Sequence, residues 1–395
     1  MKILLVSPAH PLRGGIAAST ERLAQEMQAA GHEVAIHSFS LQYPAFLFPG
    51  KTQFSDDPPP PGLKIRTHIN SVNPFNWLPS GWKIARERPD LVVVRFWLPF
   101  MGPCLGTILR LARWLSGKKF RVAALVDNIV PHEKRPGDRL FARYFVGACD
   151  EFVVMSRSVG DEIRQFLKKA PPPLKGSHAD ESTESAPLQG RGCIRFAPHP
   201  IYDNYGEPVG KAVARRQLGL PETAPLVLFF GLIRAYKGLD LLLEALGNAR
   251  LRQQNVQAIV AGEPYGDWQP YQQIIENQQL EGRTHLFLDF IPADEVRLYF
   301  SAADLVVQPY RTATQSGISQ IAYHFEKPMV VTNVGGLPEI VTNGVSGYVV
   351  EPTAAAIADA VADFFEHKKA DSMGVGVRAE KARFSWKNLM EALIG

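Results

Sequence analysis

The chain of 395 residues is 46% hydrophobic, 21% charged and 10% aromatic, which excludes a disordered or fibrous protein and leaves room for two domains. Nothing approaches the ~20 uninterrupted apolar residues of a transmembrane helix, and the opening MKILLVSPAHPLRGG lacks the apolar length and cleavage site of a signal peptide. The net charge of +4 hides an asymmetry, with 26 Lys and Arg against 17 Asp and Glu in residues 1–200, and 17 against 22 in residues 201–395.

In chain order, Lys2–Ser7 (KILLVS) reads as a short buried strand. The turn His10–Gly15 leads into a helix over Ile16–Ala30, closed by Gly31, and Glu33–Phe39 is the next strand. This is a βαβ unit, which implies a parallel sheet covered by helices. Leu91–Arg95, Val122–Val126, Phe152–Met155 and Ile194–Phe196 repeat the strand pattern, with helical stretches such as Gly102–Leu115 and Arg139–Ala148 between them. After residue 200 the pattern restarts. Leu226–Gly231, Val256–Gly262, His285–Leu288, Leu305–Gln308, Met329–Thr332 and Gly347–Val350 are predicted strands, and a helix begins at Leu239. Asp56–Gly62 reads as a stiff polyproline-type connection, and Lys168–Gly192 as a long polar loop. Two successive α/β units follow, with a ligand expected at the carboxyl ends of the strands.

Three cysteines (Cys104, Cys149, Cys193) are too few and too dispersed for a disulfide or zinc framework and fit a reduced compartment. The ten histidines show no H-x-x-x-H or H-E-x-x-H pattern, so no metal is expected.

Glycine-rich turns carry the candidate chemistry. Arg13-Gly14-Gly15 follows the first strand and opens a helix, where free N–H groups and the dipole favour an anion; a tight βα turn explains it equally. It has neither the G-x-G-x-x-G spacing of a dinucleotide site nor the G-K-[ST] of a P-loop. Gly231-Leu-Ile-Arg-Ala-Tyr-Lys-Gly238 sets Arg234 and Lys237 three apart in a strand-turn-helix context, from which both cations could reach one diphosphate; the plain alternative is a solvated charged turn. Gln315-Ser316-Gly317 and Gly335-Gly336-Leu-Pro-Glu339 stand at further element edges.

These residues, with QSGISQIAYHFEKPMVVTNVGGLPEIV (315–341), NGVSGYVVEP (343–352) and Phe384-Ser-Trp386 before a final helix, resemble the family 4 retaining glycosyltransferases of the GT-B fold. The resemblance implies two Rossmann-like α/β domains with parallel sheets facing a cleft. The first would span 1–203 plus a returning helix at 384–395, the second 204–383. It also implies metal-independent transfer of a sugar from a nucleotide-diphosphate donor with retention. Arg234 and Lys237 would stabilise the departing phosphate. Gly14, Gly15 and Gly231 would lie against the phosphates, Gln315, Ser316 and Gly317 against the donor sugar, and Gly335, Gly336 and Glu339 near the nucleotide.

Two departures stand out. The family's pair of glutamates falls on Ala313 and Ile321 when aligned on Lys327-Pro328, leaving Gln315 or Gln320 as substitutes through amide hydrogen bonds. Many members carry a His where Asp127 stands, so Asp127, His132 and Glu133, just past the strand Val122–Val126, are candidates for sugar or acceptor contact or for a base. The departing phosphate itself is the usual base in such retaining enzymes.

His199 reads as an interdomain linker residue or a cleft residue. Leu109–Arg121 is a basic amphipathic stretch containing Trp114, either a membrane-surface helix or a packing helix with a solvated edge. The aromatic segments Leu41–Gly50 and Asn73–Trp82 read as acceptor groove or as core.

The expected function is sugar transfer to a glycan or lipid-linked acceptor in surface polysaccharide or glycolipid synthesis. It would take place in the cytoplasm with peripheral contact to an anionic membrane, and without nucleic acid. The alternatives are a catalytically weak nucleotide-sugar-binding protein and a GT-B-fold epimerase.

Overall fold

The computed structural model describes residues 1–44, 53–55, 58–117, 119–129, 136–167 and 192–395. The expected loop at 168–192, all but Gly192, lies outside these residues, as do Asp56 and Asp57 of the proline-rich connection. The chain forms two compact units, Met1–Pro198 with Trp386–Gly395, and His199–Ser385. The division therefore falls at Pro198/His199 and Ser385/Trp386 rather than at 203/204 and 383/384. The Ile201 N–H donates to the Phe384 carbonyl (3.0 Å), which holds both ends of the second unit to that unit.

Unit 1 contains β1 (Lys2–Val6), α1 (Gly15–Ala29), β2 (Glu33–Leu41), β3 (Ile65–Asn70), α2 (Pro74–Arg86), β4 (Leu91–Phe96) and α3 (Gly102–Ser116). It continues with β5 (Arg121–Val126), α4 (Asp138–Val146), β6 (Glu151–Val154), α5 (Arg157–Arg164) and β7 (Cys193–Phe196). The seven strands are all parallel in the order β3-β2-β1-β4-β5-β6-β7. Chain order reverses between β1 and β4, the position where such sheets open a crevice.

Interior strands read as continuous apolar runs because helices cover both faces. On one face Val92, Val94, Val122 and Ala124 meet Ile84, Ile108 and Phe145 from α2, α3 and α4. On the other, Ile3, Leu5, Ala123 and Val153 meet Leu23 and Met27 of α1. The predicted strands were all found; β3 and α2 had not been expected. IRTHIN is an edge strand with only Ile69 buried, so it lacks the apolar run that marks its neighbours.

Unit 2 contains α6 (Lys211–Gln217), β8 (Leu226–Phe230), α7 (Leu239–Leu246), α8 (Ala249–Gln253), β9 (Gln257–Ala261), α9 (Gln269–Asn277), β10 (Thr284–Phe287) and α10 (Val296–Ala302). It continues with β11 (Leu305–Gln308), α11 (Gly317–His324), β12 (Met329–Thr332), β13 (Gly347–Val350), α12 (Ala354–Glu366) and α13 (Ala370–Glu380). Its six parallel strands run β10-β9-β8-β11-β12-β13, so chain order reverses between β8 and β11.

A last helix, α14 (Trp386–Ile394), belongs to unit 1, as the resemblance implies. It buries Trp386, Leu389, Met390 and Leu393 against the face that carries α1. Arg195 donates to the Ala392 carbonyl (3.0 Å), and the Arg22 guanidinium lies 5.5 Å from the Trp386 ring centroid.

Candidate active site

In unit 2, Phe230 ends β8 and Gly231 turns the chain at φ +92°. Ile233 bridges to Pro264, and Ala235–Lys237 form one 3₁₀ turn before Gly238 (φ +68°) opens α7. Gly238 has no substitute here, since a Cβ would come within 2.0 Å of the Pro309 carbonyl oxygen. The turn is thereby wedged between the ends of β8, β9 and β11, at the reversal of strand order.

Arg234 and Lys237 point their charges to different neighbours. The Arg234 guanidinium stacks 4.2 Å from the Tyr265 ring centroid, and its Nε is buried with no hydrogen-bond partner. A Cβ built on Gly231 would lie 3.3 Å from Lys237 Nζ and 3.1 Å from Ile318 Cδ1, so the ammonium rests over the Gly231 backbone beside the start of α11. Burial, and then the charge of Arg234, pull the Lys237 ammonium from its ordinary 10.5 to about 8. Among the described residues no carboxylate pairs with either cation. Two uncompensated positive groups in one turn form a site with a deficit of negative charge.

The segment after β11 completes this cluster. Tyr310 is buried, lies 5.7 Å by ring centroid from Lys237 Nζ, and approaches the Ser316 hydroxyl at 3.5 Å. Ser316 precedes α11 without capping it by its side chain, and Gly317 opens the helix where Tyr202 leaves no room for a Cβ. Gly335 (φ +53°) packs its Cα against Ala313, where a Cβ would lie 1.4 Å from the carbonyl oxygen, and the Gly336 N–H donates to the same carbonyl at 3.3 Å. The structure thus brings together Gly231, Lys237, Ser316, Gly317, Gly335 and Gly336. Gln315 lies in the connecting segment, and Glu339 ends the 3₁₀ turn Leu337–Glu339, its carbonyl accepting from Arg383 (3.4 Å).

The places of the absent glutamates are now explained locally. Ala313 and Ile321 are both buried in the apolar core of unit 2. Beside Ile321, Gln320 is completely buried, and neither its amide nitrogen nor its oxygen has a hydrogen-bond partner. An unpaired buried amide is costly, so it marks a position held for something other than packing.

Four tyrosines escaped the sequence reading. Tyr236, Tyr265 and Tyr271 line a hollow of about 670 Å³ together with Asp240 and Arg311, and Tyr310 stands beside Lys237. Arg311 makes a bidentate pair with Asp240 (2.7 and 2.6 Å). Tyr265 lies in Gly262–Gly266, a glycine-flanked turn after β9, and that flanking was the available signal.

Unit 1 holds its own candidates. Gly14 caps α1 at φ +112° and Gly15 begins it, with no side-chain cap and no acidic residue in the first turn. Asp127 follows β5, but its carboxylate is committed: Arg95 donates to both oxygens (2.7 and 2.8 Å), and the same guanidinium reaches Ser19 of α1. Both partners are buried, so the Asp127 carboxylate is held in an ion pair at the end of β5. His132 and Glu133 lie outside the described residues. His199 begins unit 2, with Nδ1 2.8 Å from the Pro200 carbonyl and its ring edge against Tyr202. On α3, Arg110 bonds the Gly106 and Tyr144 carbonyls and Arg113 pairs with Asp150, so two of its cations are used inside the fold. Of the aromatic segments, Phe46 and Phe48 lie outside the described residues, Trp77 packs on the core, and Phe75 and Trp82 are exposed.

Among the described residues no cluster of His, Cys, Asp and Glu is arranged to hold a metal ion, and no helix is long and apolar enough to cross a membrane.

Comparison with known proteins bears on this geometry. Residues 14–173 match the model of a glycosyl transferase 4-like domain, and residues 211–377 that of glycosyl transferases group 1. The chain is 27% identical over 337 residues to the D-inositol 3-phosphate glycosyltransferase of Streptomyces griseus, covering 78% of this chain and 67% of that one. Two further transferases of that name are matched over 54% and 42% of their lengths. The fold is similar to that of sucrose-phosphate synthase from Thermosynechococcus elongatus (TM-score 0.71, 20% identity, 99% and 96% of the two chains). It is also similar to that of Anabaena HepE in complex with UDP (TM-score 0.70, 19% identity, 100% and 98%). With both units matched in chain order and the turn after β8 inside the second match, the chain belongs to the group 1, family-4-like glycosyltransferases of the GT-B fold.

Proposed function

We propose that the protein transfers a sugar from a nucleotide-diphosphate donor to a glycan or lipid-linked acceptor, with retention at the anomeric carbon and without a metal ion. The observation that carries this reading is the Arg234–Lys237 turn, two cations at the strand-order reversal with no carboxylate partner among the described residues. Negative charge grows on the departing diphosphate as the glycosidic bond breaks, and cations already in position stabilise that state more than the ground state. Arg234 presents a fork suited to two phosphate oxygens, and Lys237 a point charge. Positive charge supplied by side chains does the work a divalent cation does elsewhere, which supports a metal-free reaction. The similarity to a protein crystallised with UDP, and with UDP-glucose, supports a nucleotide-diphosphate donor.

Gln315 and Gln320 are assigned to donor hydroxyls in place of the missing glutamates, and Ser316, Gly317, Gly335 and Gly336 to the surrounding wall. Burial of Ala313 and Ile321 in the core also favours a second reading, a nucleotide-sugar-binding protein with weak turnover. An acceptor panel assayed with several nucleotide-sugars in the presence of a chelator tests both. Transfer that survives chelation, with a product of unchanged anomeric configuration by NMR, is expected. Tight donor binding with no turnover on any acceptor would favour the second reading, and inversion or metal dependence would overturn the mechanism. Epimerised donor formed without acceptor would identify an epimerase.

A further inference from the structure

Arg234 stands on the turn after β8 and Tyr265 on the turn after β9, and the two turns are locked together. The Gly231 N–H donates to the Ala261 carbonyl (2.8 Å), the Ile233 N–H to that of Glu263 (2.9 Å), and the Tyr265 N–H back to that of Ile233 (2.8 Å). The parallel ladder of β8 and β9 thus continues past the ends of both strands. Gly262 permits this closeness. At φ +142° it lies against Gly231, and a Cβ there would come within 2.3 Å of the Gly231 carbonyl oxygen. Backbone bonds therefore fix where Tyr265 stands, and its ring remains 48% exposed.

That ring meets Arg234, whose guanidinium carbon lies 4.2 Å from its centroid. An aromatic face attracts a cation through its quadrupole and offers no oxygen or nitrogen acceptor, so the N–H donors of the guanidinium stay unspent. The Arg234 Nε, buried and without a hydrogen-bond partner, agrees with this. A carboxylate would also fix the side chain, but it would cancel the charge and fill the fork. Asp240 does so to Arg311 in the hollow that Tyr265 borders, accepting two bonds at 2.7 and 2.6 Å.

We propose that Tyr265 is a positioning residue for the diphosphate site: its ring orients Arg234 while leaving both the charge and the N–H donors of the guanidinium to phosphate oxygens. The proposal rests on the reading of the Arg234–Lys237 turn as a diphosphate site. An arginine ordered before the ligand arrives loses less side-chain freedom on binding, and one that keeps its charge is a preorganised electrostatic group. Tyr265 acts through Arg234 and needs no contact of its own with the ligand.

Two measurements on the full chain test this. In ¹⁵N NMR spectra of the free protein, the Arg234 Nε–H signal is identified by its loss in Arg234→Gln. It should lie upfield of ordinary arginine signals, shifted by the ring current, move downfield in Tyr265→Ala and stay in place in Tyr265→Phe. The second measurement is calorimetric titration with inorganic pyrophosphate, which carries the charge of the departing group without base or sugar. Tyr265→Ala should bind it about 3- to 30-fold more weakly, the range of one cation–π contact, and Tyr265→Phe should restore most of that loss. In an Arg234→Gln background, Tyr265→Ala should change the affinity less than about twofold, since the two residues act as one unit. Both Tyr265 variants should melt close to the wild type, because the backbone ladder does not need the ring. An unshifted wild-type signal, undiminished affinity in Tyr265→Ala, no restoration by Tyr265→Phe, or a full further loss in the Arg234→Gln background would each overturn the positioning role. Absence of pyrophosphate binding in the wild type, or equal binding after Arg234→Gln, would instead overturn the diphosphate reading and the role with it, with the NMR signal still shifted.

Discussion

Lys237 carries the most demanding prediction, because its two expected effects have opposite signs. The displacement of its ammonium from 10.5 to about 8 corresponds, at ~1.4 kcal/mol per unit, to about 3 kcal/mol by which the free protein disfavours the charged form. An arriving diphosphate relieves that cost. Lys237→Met removes the charge while keeping most of the side-chain length, and should lower kcat/KM for donor about 10²- to 10³-fold, the usual cost of one preorganised transition-state group. Stability should move the other way. Between pH about 8 and 10.5 the unfolded chain holds a proton on Lys237 that the folded chain lacks, so the wild-type contribution to stability rises with pH over that window. Below it, the folded wild type carries the disfavoured ammonium and Lys237→Met does not. The variant should therefore melt a few degrees higher near pH 7, and the gap should close above pH 10. In turnover assays from about pH 6.5 to 9.5, wild-type kcat/KM should fall as pH passes 8, while kcat persists to higher pH because bound diphosphate raises the ammonium again. Arg234→Gln should shift the fall in kcat/KM upward by removing the second cause. A Lys237→Met protein within threefold of wild-type turnover, or one that loses turnover and melting temperature together, would refute the reasoning.

Three other outcomes follow from packing and pairing. Gly335→Ala places a methyl 1.4 Å from the Ala313 carbonyl in a left-handed conformation, so it should cost about 1–3 kcal/mol and weaken donor binding; wild-type melting would show that the turn is not packed there. Arg95→Met or Asp127→Asn alone should destabilise by about 3–5 kcal/mol, while replacing both with apolar residues should cost less, as thermal melts of the three proteins would reveal. Gln320→Leu removes an amide without partners, so the free protein should gain about 1 kcal/mol while calorimetry reads weaker donor binding; a lowered melting temperature would mean the amide is paired after all.

The architecture was legible because interior parallel strands are short apolar runs and turns at their carboxyl ends need glycine. LVLFFG followed by Arg234 and Lys237 exposes both facts in one segment. β3 and α2 were hidden for the complementary reason. An edge strand buries little, and α2 turns its largest apolar residues outward, so Phe75 and Trp82 read as core or groove. Membrane character was sought in Leu109–Arg121, whose basic residues are visible in sequence. Sequence spacing does not reveal that Arg110 and Arg113 are occupied by Tyr144 and Asp150. At the site, the two cations were found but their environment was not. Stacking of Tyr265 on Arg234 joins residues from two different strand ends, and the isolation of the Gln320 amide depends on every neighbour it lacks. Asp127 shows the complementary limit: a carboxylate past a strand end stands out in sequence, while its pairing with Arg95 on the neighbouring strand, 32 residues earlier in the chain, does not.

The placement of α14 also governs the order in which the molecule can be made. Unit 1 is encoded in two pieces, 1–198 and 386–395, with all of unit 2 between them. As the chain leaves the ribosome, the seven-stranded sheet is complete once β7 emerges, yet the strip that will receive Trp386, Leu389 and Leu393 stays open while unit 2 is synthesised. Translation thus leaves a greasy seam exposed on the first unit for the time needed to make the second. Its closure by α14, fastened by Arg195 to the Ala392 carbonyl, reports that the whole of unit 2 has been translated.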